Sequence, residues 1–371
     1  MKTKVLILIS LLMIFSINQA FSPQVKKTKI QIALLLDTSN SMDGLIDQAK
    51  SQLWKIVNEM ATAKYEGENP ELEIALYEYG NDNLSAQEGY IRQVSQFTTD
   101  LDKISEDLFA LKTNGGSEFC GQVIEVSLKQ LLWTSSNDDL KLIFIAGNEP
   151  FNQGPVKYQE SCKKSITKGI IVNTIFCGPY QTGIDTYWKD GADLADGKYM
   201  NIDQDIKVVH IPSPYDDDIV KLNQKLNSTY VNYGSTGKKM KERQAVQDVN
   251  ASSMGQGAYI NRAVSKSSTV YKNEQWDLVD ATQENEAKLS EIKKEDLPEE
   301  LKGKSKDEMK KYLDNKRKER EKIQKEIKEL DIKRNKYIAD KQKQNANENT
   351  LDKVMIKAVK EQAESKNYKF K

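Results

Sequence analysis

The stretch Leu34-Leu35-Leu36-Asp37-Thr38-Ser39-Asn40-Ser41-Met42 decides the reading of the chain. Together with Ile30, Ile32 and Ala33, the leucines make a nearly unbroken apolar run, the pattern of a strand buried on both faces of a parallel sheet. The run ends in one carboxylate followed by hydroxyls at alternate positions, Ser39 and Ser41. Ligand sites of open α/β sheets lie at the carboxyl ends of the strands. Small oxygen donors crowded on one turn suit a hard divalent cation: Mg²⁺ first, with Mn²⁺ or Ca²⁺ as substitutes.

Outward from this turn, the apolar spacing of Leu45, Ile46, Ala49, Leu53, Ile56, Val57 and Met60 predicts a helix over Asp43 to Met60 that lies on the sheet. Strands follow at Leu72 to Tyr79 and Tyr90 to Gln96, joined by turn residues 80–83 and expected to pair as a hairpin. Thr98-Thr99-Asp100 reads as an N-cap region before Leu101, Ile104, Leu108 and Leu111. Gly115-Gly116-Ser117 allows a tight backbone approach ahead of a helix over Val123 to Leu132. Further strands are expected at Leu140 to Ala146, Ile170 to Phe176 and Gly197 to Ile202, alternating with helices at Val156 to Lys168 and Gly183 to Ala195. The alternation predicts an α/β fold, a doubly wound, mostly parallel sheet flanked by helices. An α-helical C-terminal region follows it.

The Asp37-Thr38-Ser39-Asn40-Ser41 turn and the Gly-Gly-Ser loop together resemble the von Willebrand factor type A family, whose metal-ion-dependent adhesion site begins Asp-x-Ser-x-Ser. The resemblance covers roughly residues 28–230. It implies that Asp37, Ser39 and Ser41 are metal ligands and that Ser117 supplies a further hydroxyl. It also implies a ligand after the fourth strand, where the family carries Thr-Asp-Gly. Here Gly147 takes the Asp position without a gap, and Asn148 (by its carbonyl) and Glu149 (by its charge) are the nearest oxygen donors. The function implied is metal-dependent protein binding, the cation accepting an acidic group of a partner. The alternative is a scaffold with a degenerate metal site, whose C-terminal helices make the contact.

Other chemistries find little support. A phosphatase of the haloacid dehalogenase type needs a second Asp where Ser39 stands. Gly-x-Ser-x-Gly, Walker and His-Glu-x-x-His motifs are absent from the sequence, and Cys120 has no His near it in sequence. The expectation is therefore a protein that is not an enzyme. Lys plus Arg equals Asp plus Glu at 55 each, so net charge argues for neither a nucleic-acid nor a membrane-surface partner. His210, the single histidine, is expected to be structural.

Lys2 and Lys4, the apolar run Val5 to Ile17 and the small residues Ala20 and Ser22 outline a signal peptide over residues 1–22. No Cys follows the run to carry a lipid. A periplasmic or secreted protein with no membrane span after cleavage is expected. In such a compartment Cys120, Cys162 and Cys177 are expected to form one bridge and leave one buried thiol; Cys120 with Cys177 is a possible pair, both near the site edge of the sheet.

Beyond residue 230 the organisation changes. Residues 231–300 read as linker and helix, with Trp276, Leu278 and Val279 able to dock on the first domain. Residues 301–371 form a charged, coiled-coil-like helical region. From Lys306 to about Gln344, Leu313, Ile323, Ile327, Leu330 and Tyr337 fit one heptad seam, which Lys316, Arg320 and Arg334 interrupt. A long helix that pairs within the chain, self-associates weakly, or stands alone in solvent fits this pattern equally. A last helix, Leu351 to Ala363, is expected to fold back on it as a hairpin, with Tyr368 and Phe370 fastening the tail.

Overall fold

The computed structural model describes residues 27–203, 205, 210–342 and 350–370; the expected signal peptide lies outside them. Six strands form one sheet in the order β3-β2-β1-β4-β5-β6. They are β1 (Lys29–Asp37), β2 (Glu71–Tyr79), β3 (Ile91–Thr98), β4 (Leu140–Gly147), β5 (Ile171–Cys177) and β6 (Tyr199–Ile202). All neighbours are parallel except β2 and β3, which pair antiparallel as a hairpin. β1 lies between β2 and β4, so both its edges are paired, helices cover both its faces, and Asp37 is carried to the carboxyl edge.

Side-chain alternation along β1 divides the core. Ile30, Ile32 and Leu36 face α1 (Asp43–Met60) and α2 (Leu101–Ala110). Ala33 and Leu35 face the other way, toward α3 (Cys120–Gln130) and α4 (Tyr158–Thr167). Asp100 caps α2, accepting from the Lys103 N–H at 3.0 Å. The helix expected over Gly183 to Ala195 is two short ones, α5 (Tyr180–Asp185) and α6 (Trp188–Asp193). Tyr187 breaks them with φ 72°, and Trp188 is buried against Phe151 and Phe176.

The core runs on past residue 230. The remaining helices are α7 (Asp216–Asn227), α8 (Gly237–Ser253), α9 (Gln256–Lys266), α10 (Leu278–Glu284), α11 (Lys288–Glu291), α12 (Lys306–Gln342) and α13 (Leu351–Glu364). Ile260, Ile323, Ile327, Met355 and Val359 join the apolar cluster of α1 and the sheet. The seam of α12 is turned onto its own chain, against α7, α9 and α10. Two of its polar interruptions, Arg320 and Arg334, are buried and paired, while Lys316 is half-buried and donates to the Ser228 carbonyl at 3.2 Å. Arg320 donates to Asp277 (2.6 Å) and Asp280 and stacks on Tyr230, and Arg334 donates to Asp216 at 3.1 Å.

The expected α12–α13 hairpin is replaced by a different packing: α13 lies on α1 and beside β6. The tail is fastened by Tyr368, whose hydroxyl donates to the Asp138 carbonyl at 2.9 Å and whose ring meets Tyr65. His210 hydrogen-bonds Asp216 at 2.8 Å, which ties it to the same carboxylate as Arg334.

The expected disulfide is not formed; all three thiols are free and buried. Cys177 belongs to the α1 side of the sheet, Cys120 and Cys162 to the other. The Cys120–Cys177 pair is thus separated by the sheet itself. Burial pushes the Cys162 thiol up to about 12, which keeps it protonated and inert.

Candidate metal centre

Asp37 is the last residue of β1 and is fully buried. Its Oδ1 accepts the Ser39 N–H at 2.8 Å, while its Oδ2 has no hydrogen-bond partner. The backbone turn this creates sets the Ser39 and Ser41 hydroxyls 3.3 Å apart. Ser41 in turn meets Asn148, whose Nδ2 lies 3.1 Å from its Oγ, so the turn after β1 touches the turn after β4. The crossing from β1 is held from both sides: Thr38 N–H donates to the Tyr79 carbonyl, and the Asn114 N–H donates to the Thr38 carbonyl, each at 2.9 Å.

The Gly-Gly-Ser loop comes up to this turn as its glycines require. A Cβ on Gly116 would lie 2.4 Å from the Gly80 carbonyl oxygen, so only glycine lets the two backbones meet. Asn81 clamps the approach, donating to the Lys112 carbonyl at 2.8 Å. Ser117 rides on this loop, half-buried, and makes no hydrogen bond among the described residues. The residue after it, Glu118, is the one the sequence reading passed over. It is buried, and its Cγ and the Asp37 Oδ1 both lie within 3 Å of where a Gly80 Cβ would stand. Nothing local to Gly-Gly-Ser-Glu distinguishes that carboxylate from a loop-surface one; its burial follows from the Gly80–Gly116 contact.

Asp37 and Glu118 thus meet beside Gly80, with Glu149 within electrostatic reach of both. Burial pushes Asp37 up to about 8, against the pull of the Ser39 hydrogen bond, and the negative charges of Glu118 and Glu149 add to the rise. Burial likewise pushes Glu118 up to about 7, again with Glu149 adding to it. Glu149 is half-buried and accepts from Gln153 at 3.2 Å. Its own carbonyl accepts the Trp188 indole N–H at 2.8 Å, which fixes the turn after β4.

Gly147 explains why no carboxylate stands at the tip of β4. A Cβ there would meet the Tyr79 hydroxyl at 2.6 Å and the Asp37 Oδ2 at 3.0 Å. Tyr79 is tied down by its hydrogen bond to the Ala146 carbonyl at 3.0 Å. The structure therefore brings Asp37, Ser39, Ser41 and Asn148 together, sets Glu149 within electrostatic reach and adds Glu118, while Ser117 makes no contact with the turn among the hydrogen bonds of the described residues.

The donor set fits a hard divalent cation. An orphaned buried carboxylate oxygen, two hydroxyls and neighbouring carboxylates that raise one another's affinity for positive charge are what such an ion relieves. Among the described residues no three His, Cys, Asp or Glu side chains form a ligand group by themselves.

No sequence-family model and no curated protein matches the chain. Solved structures resemble its α/β part. BatB from Bacteroides thetaiotaomicron is 15% identical at a TM-score of 0.37, over 47% of this chain and 90% of that one. The SpRpn10 VWA domain is 16% identical at 0.36, over 47% and 88%. Proximal thread matrix protein 1 from the mussel byssus, with a zinc-occupied MIDAS motif, is 12% identical at 0.36, over 47% and 42%. Likenesses of this size carry no argument about what this chain binds.

Proposed function

We propose that this α/β domain, of the von Willebrand factor type A kind in its strand order and in the placement of its Asp-x-Ser-x-Ser turn, is a metal-dependent protein-binding module and not an enzyme. The observation that carries the reading is the buried Asp37 carboxylate, one oxygen unpartnered, at the carboxyl edge beside two hydroxyls and two further carboxylates. In this reading Asp37, Ser39 and Ser41 hold the cation, with Asn148 and Ser117 at its margin. A divalent cation, Mg²⁺ before Mn²⁺ or Ca²⁺, would supply an electrophilic position for an acidic group of a partner protein.

Glu118 and Glu149 tune the site. Both ionised, with Asp37, they carry three negative charges against the two of the cation, which favours retention of metal over capture of a carboxylate. Neutralising Glu118 would leave the cation more attractive to an acidic partner.

Export to the periplasm or the cell exterior is part of the same proposal, supported by the outline of residues 1–22; no helix among the described residues is long and apolar enough to cross a membrane. Self-association through α12 loses its support, because that seam is engaged within the chain. The scaffold alternative is favoured by one observation, the sealed tip of β4 at Gly147, which withholds a ligand charge.

Calorimetric titration with Mg²⁺ and Mn²⁺ tests the proposal. Saturable binding in the parent, lost in Asp37→Ala at unchanged far-UV circular dichroism, is the expected result. Metal must then raise the unfolding midpoint of the parent alone. No binding at millimolar metal would move the function to the scaffold reading.

A further inference from the structure

The sealed tip of β4 withholds a carboxylate from the Asp37 turn, and the Gly-Gly loop brings one from the other side. Packing fixes that loop at both ends. Gly116 meets Gly80 backbone to backbone, and the Phe119 ring stands edge-on to Tyr90 with centroids 6.0 Å apart. Between these anchors Glu118 is only 6% exposed, whereas Ser117 beside it is half-buried.

Glu118 reaches the Asp37 turn itself. Its Cγ lies 2.8 Å, and the Asp37 Oδ1 2.9 Å, from where a Cβ on Gly80 would stand, so the two side chains meet over the bare face of that glycine. Ser39 stands between the carboxylates. Its side chain hydrogen-bonds with Asp37 and Glu118 alike, and its Oγ lies 3.3 Å from that of Ser41. One hydroxyl carries one proton, which cannot answer two carboxylates at once. The charged neighbours acting on Glu118 include Glu149 and Asp82, which are acidic as well. The Asp37 Oδ2, fully buried, has no hydrogen-bond partner among the described residues. Two buried carboxylates sharing one hydroxyl, with an oxygen of one left unanswered, are completed by a cation between them.

We propose that Glu118 is the second charged ligand of the cation held by Asp37, Ser39 and Ser41, taking in this chain the part of the carboxylate that β4 withholds. The inference rests on reading the Asp37 turn as a metal site, and it changes the character of that site. With Asp37 and Glu118 both on it, a divalent ion carries no net charge. It is held more tightly and exerts less pull on an acidic partner from a distance. Gly147 then marks a ligand moved to the loop before α3 and not a ligand lost.

The test uses the full chain with Mn²⁺ alone. Affinity is read by calorimetric titration, and the number of waters on the saturated ion by water-proton relaxation. Glu118→Gln, nearly isosteric, should weaken Mn²⁺ about tenfold or more and add water to the ion. Glu118→Asp keeps the charge but shortens its reach by one methylene, and should not restore the affinity. Glu149→Gln removes a charge that acts from a distance, and should cost about threefold or less with no added water. Ser117→Ala should leave both readouts as in the parent. Parent-like affinity in either Glu118 variant overturns the ligand role while the metal site stands. So does a loss in Glu118→Gln at an unchanged water count, or an equal loss in Ser117→Ala. Should Glu118→Gln fail to fold by far-UV circular dichroism, Glu118→Asp decides, since a bystander charge predicts full affinity there and a ligand predicts its loss. No Mn²⁺ binding by the parent, or binding retained in Asp37→Ala, overturns the metal reading and this inference with it.

Discussion

At the residue scale, the site turns on one carboxyl group. Asp37 in the folded chain titrates near 8, above the ordinary carboxylate value. The folded state therefore holds a proton that the unfolded state releases between about pH 4 and 8. Without metal, the stability this contributes is present below that window and lost as pH rises through it. Thermal unfolding in chelator should show a midpoint falling from pH 5 to 8, with a flatter profile in Asp37→Asn. A bound divalent ion takes the proton's place, so its stabilising shift should grow over the same range. Gly147 makes a second residue-scale case. Restoring the family's acid by Gly147→Asp should not rebuild the site, because its Cβ meets the Tyr79 hydroxyl and the Asp37 Oδ2. The expected result is a loss of about 1–3 kcal/mol in denaturant unfolding and no gain in metal affinity.

At the element scale, α12 shows how a polar position inside an apolar seam is read by its partners. Arg320 interrupts the heptad seam, and from spacing alone it argued equally for solvent or for a partner. In the fold it is buried against the Tyr230 ring and answers Asp277, itself fully buried. Arg320→Ala leaves that carboxylate uncompensated and should cost about 3–5 kcal/mol in chemical denaturation. Lys325→Ala, which removes a solvent-exposed pair with Glu329, should stay within about 0.5 kcal/mol. Equal losses in the two variants would mean that α12 is held by its apolar positions alone. The same logic reaches Arg262, Asp102 and Asp248, a buried set that ties α9 to α2 and α8.

At the scale of the whole molecule, the helices after residue 230 complete the core of the α/β domain. Ile260, Ala263 and Val359 close the outer side of α1, and Ile323 and Ile327 of α12 extend the same apolar cluster beside α7 and α9. A chain ending at residue 230 should expose that face, bind the dye ANS, and lose near-UV circular dichroism while keeping helical far-UV signal. The full chain should unfold in a single transition seen alike by both probes. A truncated chain with a sharp, native-like transition would mean that the α/β domain closes without them.

What could be read without the fold was local. The apolar run ending in Asp37, the helical spacing after Asp43, the hairpin at residues 80–83 and the cap region at residues 98–100, where Asp100 is the residue that caps, each follow from neighbours in the chain. Asp37, Ser39 and Ser41 are legible for the same reason, since five consecutive residues make one turn. Glu118 was not, because its burial depends on Gly80 and Gly116 meeting across 36 residues of chain. The disulfide failed likewise, because a sheet stands between Cys120 and Cys177. The α12–α13 hairpin failed because α1 offers α13 an apolar face that the sequence of α13 does not name. Backbone turns and periodicity are set by short-range sterics and hydrogen bonding, and these the sequence by itself determined. Which charges share a cavity and which seam meets its own chain depend on contacts between distant segments, and only the tertiary structure decided them.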